Sequence, residues 1–114
     1  MKATIWHNPR CSKSRQALAI LEGTPGVEVE VVEYLKTPPN RAEIETVLKK
    51  AGLRPSQAVR KGEAVVKEIG IDLTDDKAVL DAMAQHPILI ERAIVITEKG
   101  AVIARPPERV SEVL

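Results

Sequence analysis

The spacing of apolar and polar positions changes several times along this chain. Ala3-Thr4-Ile5-Trp6 is a short apolar run that predicts a first strand. From Ser12 to about Glu22 the period becomes helical, with Ala17, Leu18 and Leu21 on one face. Gly23, Pro25 and Gly26 end that helix. Val27 to Glu33 alternates apolar and acidic residues and carries an apolar pair near its end. That pattern predicts a strand with one covered face. Strand, helix and strand in this order make a βαβ unit, with parallel strands and a right-handed crossover.

Pro38-Pro39-Asn40 breaks the pattern and opens a helix with Asn40 as its N-cap. Glu43 stands where a capping box places an acid. Ile44, Val47, Leu48 and Ala51 follow at helical spacing, and Gly52 suits the C-terminal stop. Pro55 fits the first turn of another short helix. Val65, Val66 and Ile69 predict one or two more helical turns before Gly70. Thr74 is the expected cap of a helix carrying Val79, Leu80 and Met83, which stops before Pro87. Ile94 to Thr97 is β-branched, Glu98-Lys99-Gly100 is a turn, and Ala101 to Ala104 returns as the hairpin partner. Glu108 to Leu114 closes the chain as a short helix. The order predicts an α/β fold. A mixed β-sheet is flanked by helices, with a helical insertion between the βαβ unit and the C-terminal β-hairpin. No repeat, low-complexity tract or long linker divides residues 1–114, which are expected to form a single domain.

Composition narrows the function classes. The chain has 17 Lys and Arg against 16 Asp and Glu, a formal charge of +1, so overall charge names no partner and lacks the basic bias of a broad nucleic-acid face. One Trp, one Tyr and no Phe remove the usual stacking platform for single-stranded nucleic acid. No run approaches the roughly 18 apolar residues of a membrane span, and the N-terminal apolar run is too short for a signal peptide. The expected setting is cytoplasmic, because a single cysteine provides no disulfide framework. Two histidines and one cysteine at these spacings give no metal site, and no glycine-rich phosphate loop is present.

That lone cysteine carries the chemistry. Cys11 sits in His7-Asn8-Pro9-Arg10-Cys11-Ser12-Lys13-Ser14-Arg15, between the first strand and the first helix. Unpaired N–H groups at a helix start favour negative charge, and a thiolate is the reactive form of cysteine. His7, Arg10, Lys13 and Arg15 add positive charge nearby. The bland alternative is a buried, inert cysteine, but the local sequence is polar and basic. By position alone, Arg60 reads as a solvated charge in a polar helical stretch. Arg92 precedes the strand Ile94 to Thr97, and Arg105 ends the hairpin. Arg10, Arg15, Arg41, Arg54 and Arg109 read as surface charges.

The segment from His7 to Arg15 resembles the active-site loop of glutaredoxin-coupled arsenate reductases, the ArsC-like family. Tyr34-Leu35-Lys36-Thr37-Pro38-Pro39, Val59-Arg60-Lys61, His86-Pro87-Ile88-Leu89-Ile90 and Ala104-Arg105-Pro106 match in the same order. The resemblance covers nearly the whole chain. It implies a thioredoxin-like fold and a single cysteine, Cys11, that attacks arsenate. It also implies an oxyanion grip from Arg60, Arg92 and Arg105, with His7 and Ser14 helping to keep the cysteine ionised. The family usually has proline after the second arginine, in a cis peptide; here Ala93 follows Arg92.

Arsenate is a tetrahedral anion, and a thiolate approaching it meets like charge. Guanidinium groups fork onto two oxygens at once and neutralise that charge, and a helix N-terminus adds N–H donors. Reduction to arsenite takes two electrons, and one thiol cannot close a disulfide within the chain. The second thiol comes from outside, with glutathione as the co-substrate and no bound cofactor. The resemblance adds glutaredoxin as the protein that resolves the mixed disulfide. Two rivals share the fold. One is a regulator like the Spx proteins, which binds RNA polymerase, but the position three after Cys11 is Ser14 and not a second cysteine. The other is a glutathione-linked thiol reductase without arsenate activity.

Overall fold

A computed structural model describes all residues, 1–114. The chain separates into two compact units. The first combines Met1–Thr37 with Arg92–Leu114; the second is Pro38–Glu91.

The first unit holds a four-stranded sheet in the order β2-β1-β3-β4. The strands are β1 (Lys2–Trp6), β2 (Glu28–Val32), β3 (Ile94–Thr97) and β4 (Gly100–Ile103). β1 pairs parallel with β2, Ile5 opposite Val31, and antiparallel with β3, Ile5 opposite Val95. β3 and β4 form the expected hairpin, with Thr97 opposite Gly100 across a two-residue turn. Helix α1 runs from Ser12 to Glu22, as its periodicity requires. Successive strand residues face opposite sides of a sheet. Ala3 and Ile5 of β1 therefore share a buried cluster with Ala17 and Leu21 of α1, Val95 and Val102 of the hairpin, and Val110 and Val113 of a terminal 3-10 helix, Pro107–Val113. The closing helix was expected at Glu108 and is of the tighter kind. Thr97 Oγ1 donates to the Val113 carbonyl at 2.6 Å and fastens it to the hairpin. This mixed sheet with flanking helices is the architecture the element order predicts.

β2 has the expected covered face only in part: Val27, just before it, and Val29 pack against the buried cluster, but β2 is an edge strand and Val31 is 45% exposed. Alternation set its register but not the completeness of its cover.

The second unit is helical: α2 (Arg41–Ala51), α3 (Pro55–Ala58), α4 (Ala64–Glu68), α5 (Asp76–Gln85) and a 3-10 turn, Pro87–Leu89. Asn40 and Glu43 make the predicted reciprocal cap, Asn40 Oδ1 accepting from Glu43 N–H at 2.8 Å and Glu43 Oε1 from Asn40 N–H at 3.1 Å. Gly52 ends α2 at φ 69°, a left-handed conformation that suits glycine. Ile44, Val47, Leu48, Val79, Leu80 and Met83 are buried in this unit. One cap differs from the reading. Asp75, not Thr74, caps α5, accepting from the N–H groups of Lys77 and Ala78. The Thr74 hydroxyl instead donates to Asp72 Oδ1 at 2.6 Å.

Candidate active site

β1 leads directly into the site. The parallel ladder extends one residue beyond it, His7 N–H donating to the Val32 carbonyl at 2.8 Å. The chain then turns sharply around Asn8, which is buried. The Asn8 carbonyl accepts from Cys11 N–H and its side-chain oxygen from Arg10 N–H, both at 3.0 Å. This Asx-type turn explains why the loop needs an asparagine there. Cys11 becomes the N-cap of α1, with an extended backbone and its carbonyl accepting from Arg15 N–H at 3.0 Å.

The thiol is half-buried. Burial pushes its pKa up, but the Ser14 N–H, the Arg92 guanidinium and the Lys13 N–H together hold it below the ordinary cysteine value. Each favours the charged form, as expected for a sulfur at a helix start beside a cation. Arg92 thus acts on Cys11 from the far end of the sequence, where β3 begins.

Arg105 lies beside Arg92, its Nη1 donating to the Arg92 carbonyl at 3.4 Å. Each of these two arginines precedes a cis peptide bond, Arg92–Ala93 and Arg105–Pro106. Ala93 thus holds the cis geometry where the resembled family has proline.

His7 and Ser14 form one buried pair. His7 Nδ1 is 2.7 Å from Ser14 Oγ, which also accepts the Asn8 N–H at 3.0 Å. Ser14 therefore ties the end of β1 to the first turn of α1, across the loop that carries the thiol. Burial lowers the His7 pKa, with Arg15 acting in the same direction and Glu33 and Glu22 opposing. Burial thus works against a positive charge on the His7 ring, and Arg92 is a cation that acts on the thiol.

Arg15 is exposed, as expected of a surface charge, and its Nη1 also donates to the Pro9 carbonyl at 2.8 Å, so it braces the loop. The available signal was its position four residues after Cys11, since helical side chains point back toward the N-terminus. Arg41, Arg54 and Arg109 are exposed ion-pair members, with Asp81, Asp76 and Glu112 respectively.

Arg60 belongs to the second unit. It follows Val59, which bridges to Ile90, and its own N–H donates to the Leu89 carbonyl at 2.7 Å. Its guanidinium Nη2 lies 2.7 Å from Glu63 Oε1. No cluster of three His, Cys, Asp or Glu side chains is placed to hold a metal ion. No helix is long and apolar enough to cross a membrane.

The family model described as "ArsC family" matches residues 6–113. The chain belongs to the ArsC family. Among its relatives, an arsenate reductase of Rhizobium meliloti (strain 1021) is 44% identical over 100% of this chain and 82% of its own. An arsenate reductase of Neisseria meningitidis serogroup B (strain ATCC BAA-335 / MC58) is 44% identical over 96% of both. A solved arsenate reductase from Vibrio cholerae superposes with a TM-score of 0.91 at 42% identity, covering 100% of this chain and 98% of the other. The sheet order and the helical insertion are thus those of ArsC proteins, a thioredoxin-like fold.

Proposed function

We propose that this ArsC protein is an arsenate reductase in which Cys11 is the nucleophile. The observation that carries the reading is the half-buried thiol at the start of α1, held low by the Arg92 guanidinium and two backbone N–H groups. The naming of relatives matched over nearly the whole of this chain as arsenate reductases supports it. The Cys11 thiolate attacks arsenic, and a protonated arsenate oxygen leaves as water. A glutathione thiolate then attacks the Cys11 sulfur. The S–As bonding pair passes to arsenic, which leaves as arsenite, and a Cys11–glutathione disulfide remains. A glutaredoxin thiolate attacks the glutathione sulfur and returns Cys11 as thiolate. Arg92, Arg105 and Arg60 hold the oxyanion, each guanidinium donating to its oxygens and offsetting its charge. His7 and Ser14 hold the loop so that the α1 N–H groups face the sulfur. The cytosol supplies the reduced glutathione the cycle consumes.

An NADPH-coupled assay with arsenate, glutathione, glutaredoxin and glutathione reductase tests this. Arsenate-dependent NADPH oxidation is expected from the protein and none from Cys11→Ser. Turnover retained by Cys11→Ser removes the nucleophile assignment. Absence of turnover in the unaltered protein points to a thiol reductase with a different substrate, and capture of RNA polymerase in a pull-down would favour a regulator.

A further inference from the structure

The side chains of Arg60 and Glu63 are only 19% and 26% exposed, and their ion pair is short at 2.7 Å. The backbone fixes both residues: Glu63 N–H donates to the Arg60 carbonyl at 3.2 Å, and Arg60 N–H to the Leu89 carbonyl. Glu63 is the N-cap residue of α4, yet its side chain makes no bond to that helix. An N-cap side chain ordinarily turns to the N–H groups of the first turn. This one is committed to the guanidinium instead.

We propose that Glu63 makes the Arg60 subsite selective for tetrahedral oxyanions that carry an O–H group, arsenate and phosphate, against sulfate. The inference rests on Arg60 acting as an oxyanion ligand, as proposed above. A guanidinium alone barely distinguishes these anions, which share their tetrahedral shape and oxygen acceptors. A carboxylate does distinguish them, because it is an acceptor with no proton to give. Near neutral pH arsenate and phosphate keep at least one O–H, which donates to Glu63 while other oxygens take Arg60 N–H groups. Sulfate has none. Its oxygens would face the Glu63 oxygens acceptor to acceptor, charge to charge, with little water to intervene. An unpaired acceptor placed against the wrong ligand is an effective way to build discrimination.

The test measures sulfate and phosphate as competitive inhibitors of arsenate turnover. It also measures how far each slows alkylation of Cys11, which reads anion binding without catalysis. In the unaltered protein phosphate should bind more tightly than sulfate by roughly tenfold or more. Glu63→Gln, whose amide donates to any oxyanion oxygen, should strengthen sulfate and shrink that preference several-fold, whereas Glu63→Asp should keep the preference for phosphate. An unaltered protein that binds both anions equally overturns the proposal. So does a Glu63→Gln protein with the original ratio. Arg60→Ala separates the two levels of inference. If it weakens arsenate and phosphate while Glu63→Gln leaves the ratio alone, Arg60 is a ligand and only the role of Glu63 falls. If Arg60→Ala changes neither, the oxyanion role of Arg60 falls first, and the selectivity with it.

Discussion

Cys11 is a place where opposing local effects are resolved by partners distant in sequence. Burial works against its ionisation; the Ser14 and Lys13 N–H groups and Arg92 work for it, and they prevail. Arg92→Ala removes one of the groups favouring the thiolate and leaves burial in place, so the thiol pKa should rise. The pH dependence of iodoacetamide alkylation checks this: its midpoint should move upward relative to the unaltered protein. An unmoved midpoint would assign the thiolate to the helix start alone. The placement of the thiol at a helix start was legible in the sequence, because the cysteine falls between an apolar strand and a helical period. The surroundings of His7 were not. They depend on how completely the fold covers the ring and on its 2.7 Å approach to Ser14, neither of which a list of nearby cations reveals. The Glu63 partner of Arg60 was within reach, since i and i+3 meet across a turn, but the acid had to be considered along with the arginine.

Among the elements, the best-read ones announce their own ends. Asn40 with Glu43 opens α2 and Gly52 closes it, and both signals are local chemistry that tertiary packing does not alter. The start of α5 was misread by one residue because Thr74 and Asp75 are both good caps. The choice was made by Asp72, whose carboxylate takes the Thr74 hydroxyl. Asp75→Ala should therefore destabilise the protein by about 1 kcal/mol, within the usual range for a lost N-cap. Thr74→Ala should cost clearly less. Urea denaturation of the two variants distinguishes these outcomes, and a larger loss for Thr74→Ala would reverse the cap assignment. Edge exposure was also hidden. The alternation of Val and Glu in β2 resembles that of a well-covered strand, and only the strand order places it at the margin of the sheet.

For the molecule as a whole, the mixed sheet depends on a small aliphatic core without a phenylalanine anywhere in the chain. Leu21 is fully buried at the join of α1 with that core. Leu21→Ala should cost about 2–5 kcal/mol, the range for an unfilled leucine site. Chemical denaturation measures it, and a cost below about 1 kcal/mol would mean that the core closes over the gap. Sequence order showed which elements exist and that an inserted helical segment interrupts the sheet. It did not show that Arg92 and Cys11 meet, because Arg92 is brought to Cys11 by the pairing of β1 with β3, a contact across most of the chain.

The strand order 2-1-3-4 also bears on how the protein is made. β1 is synthesised first and gains a parallel neighbour early, but its other flank stays open until Ile94–Thr97 emerges from the ribosome. Until then that flank presents a bare row of backbone donors and acceptors, the kind of edge that invites mispairing. Attachment of the hairpin is thus the step that a chaperone shielding that flank would most affect.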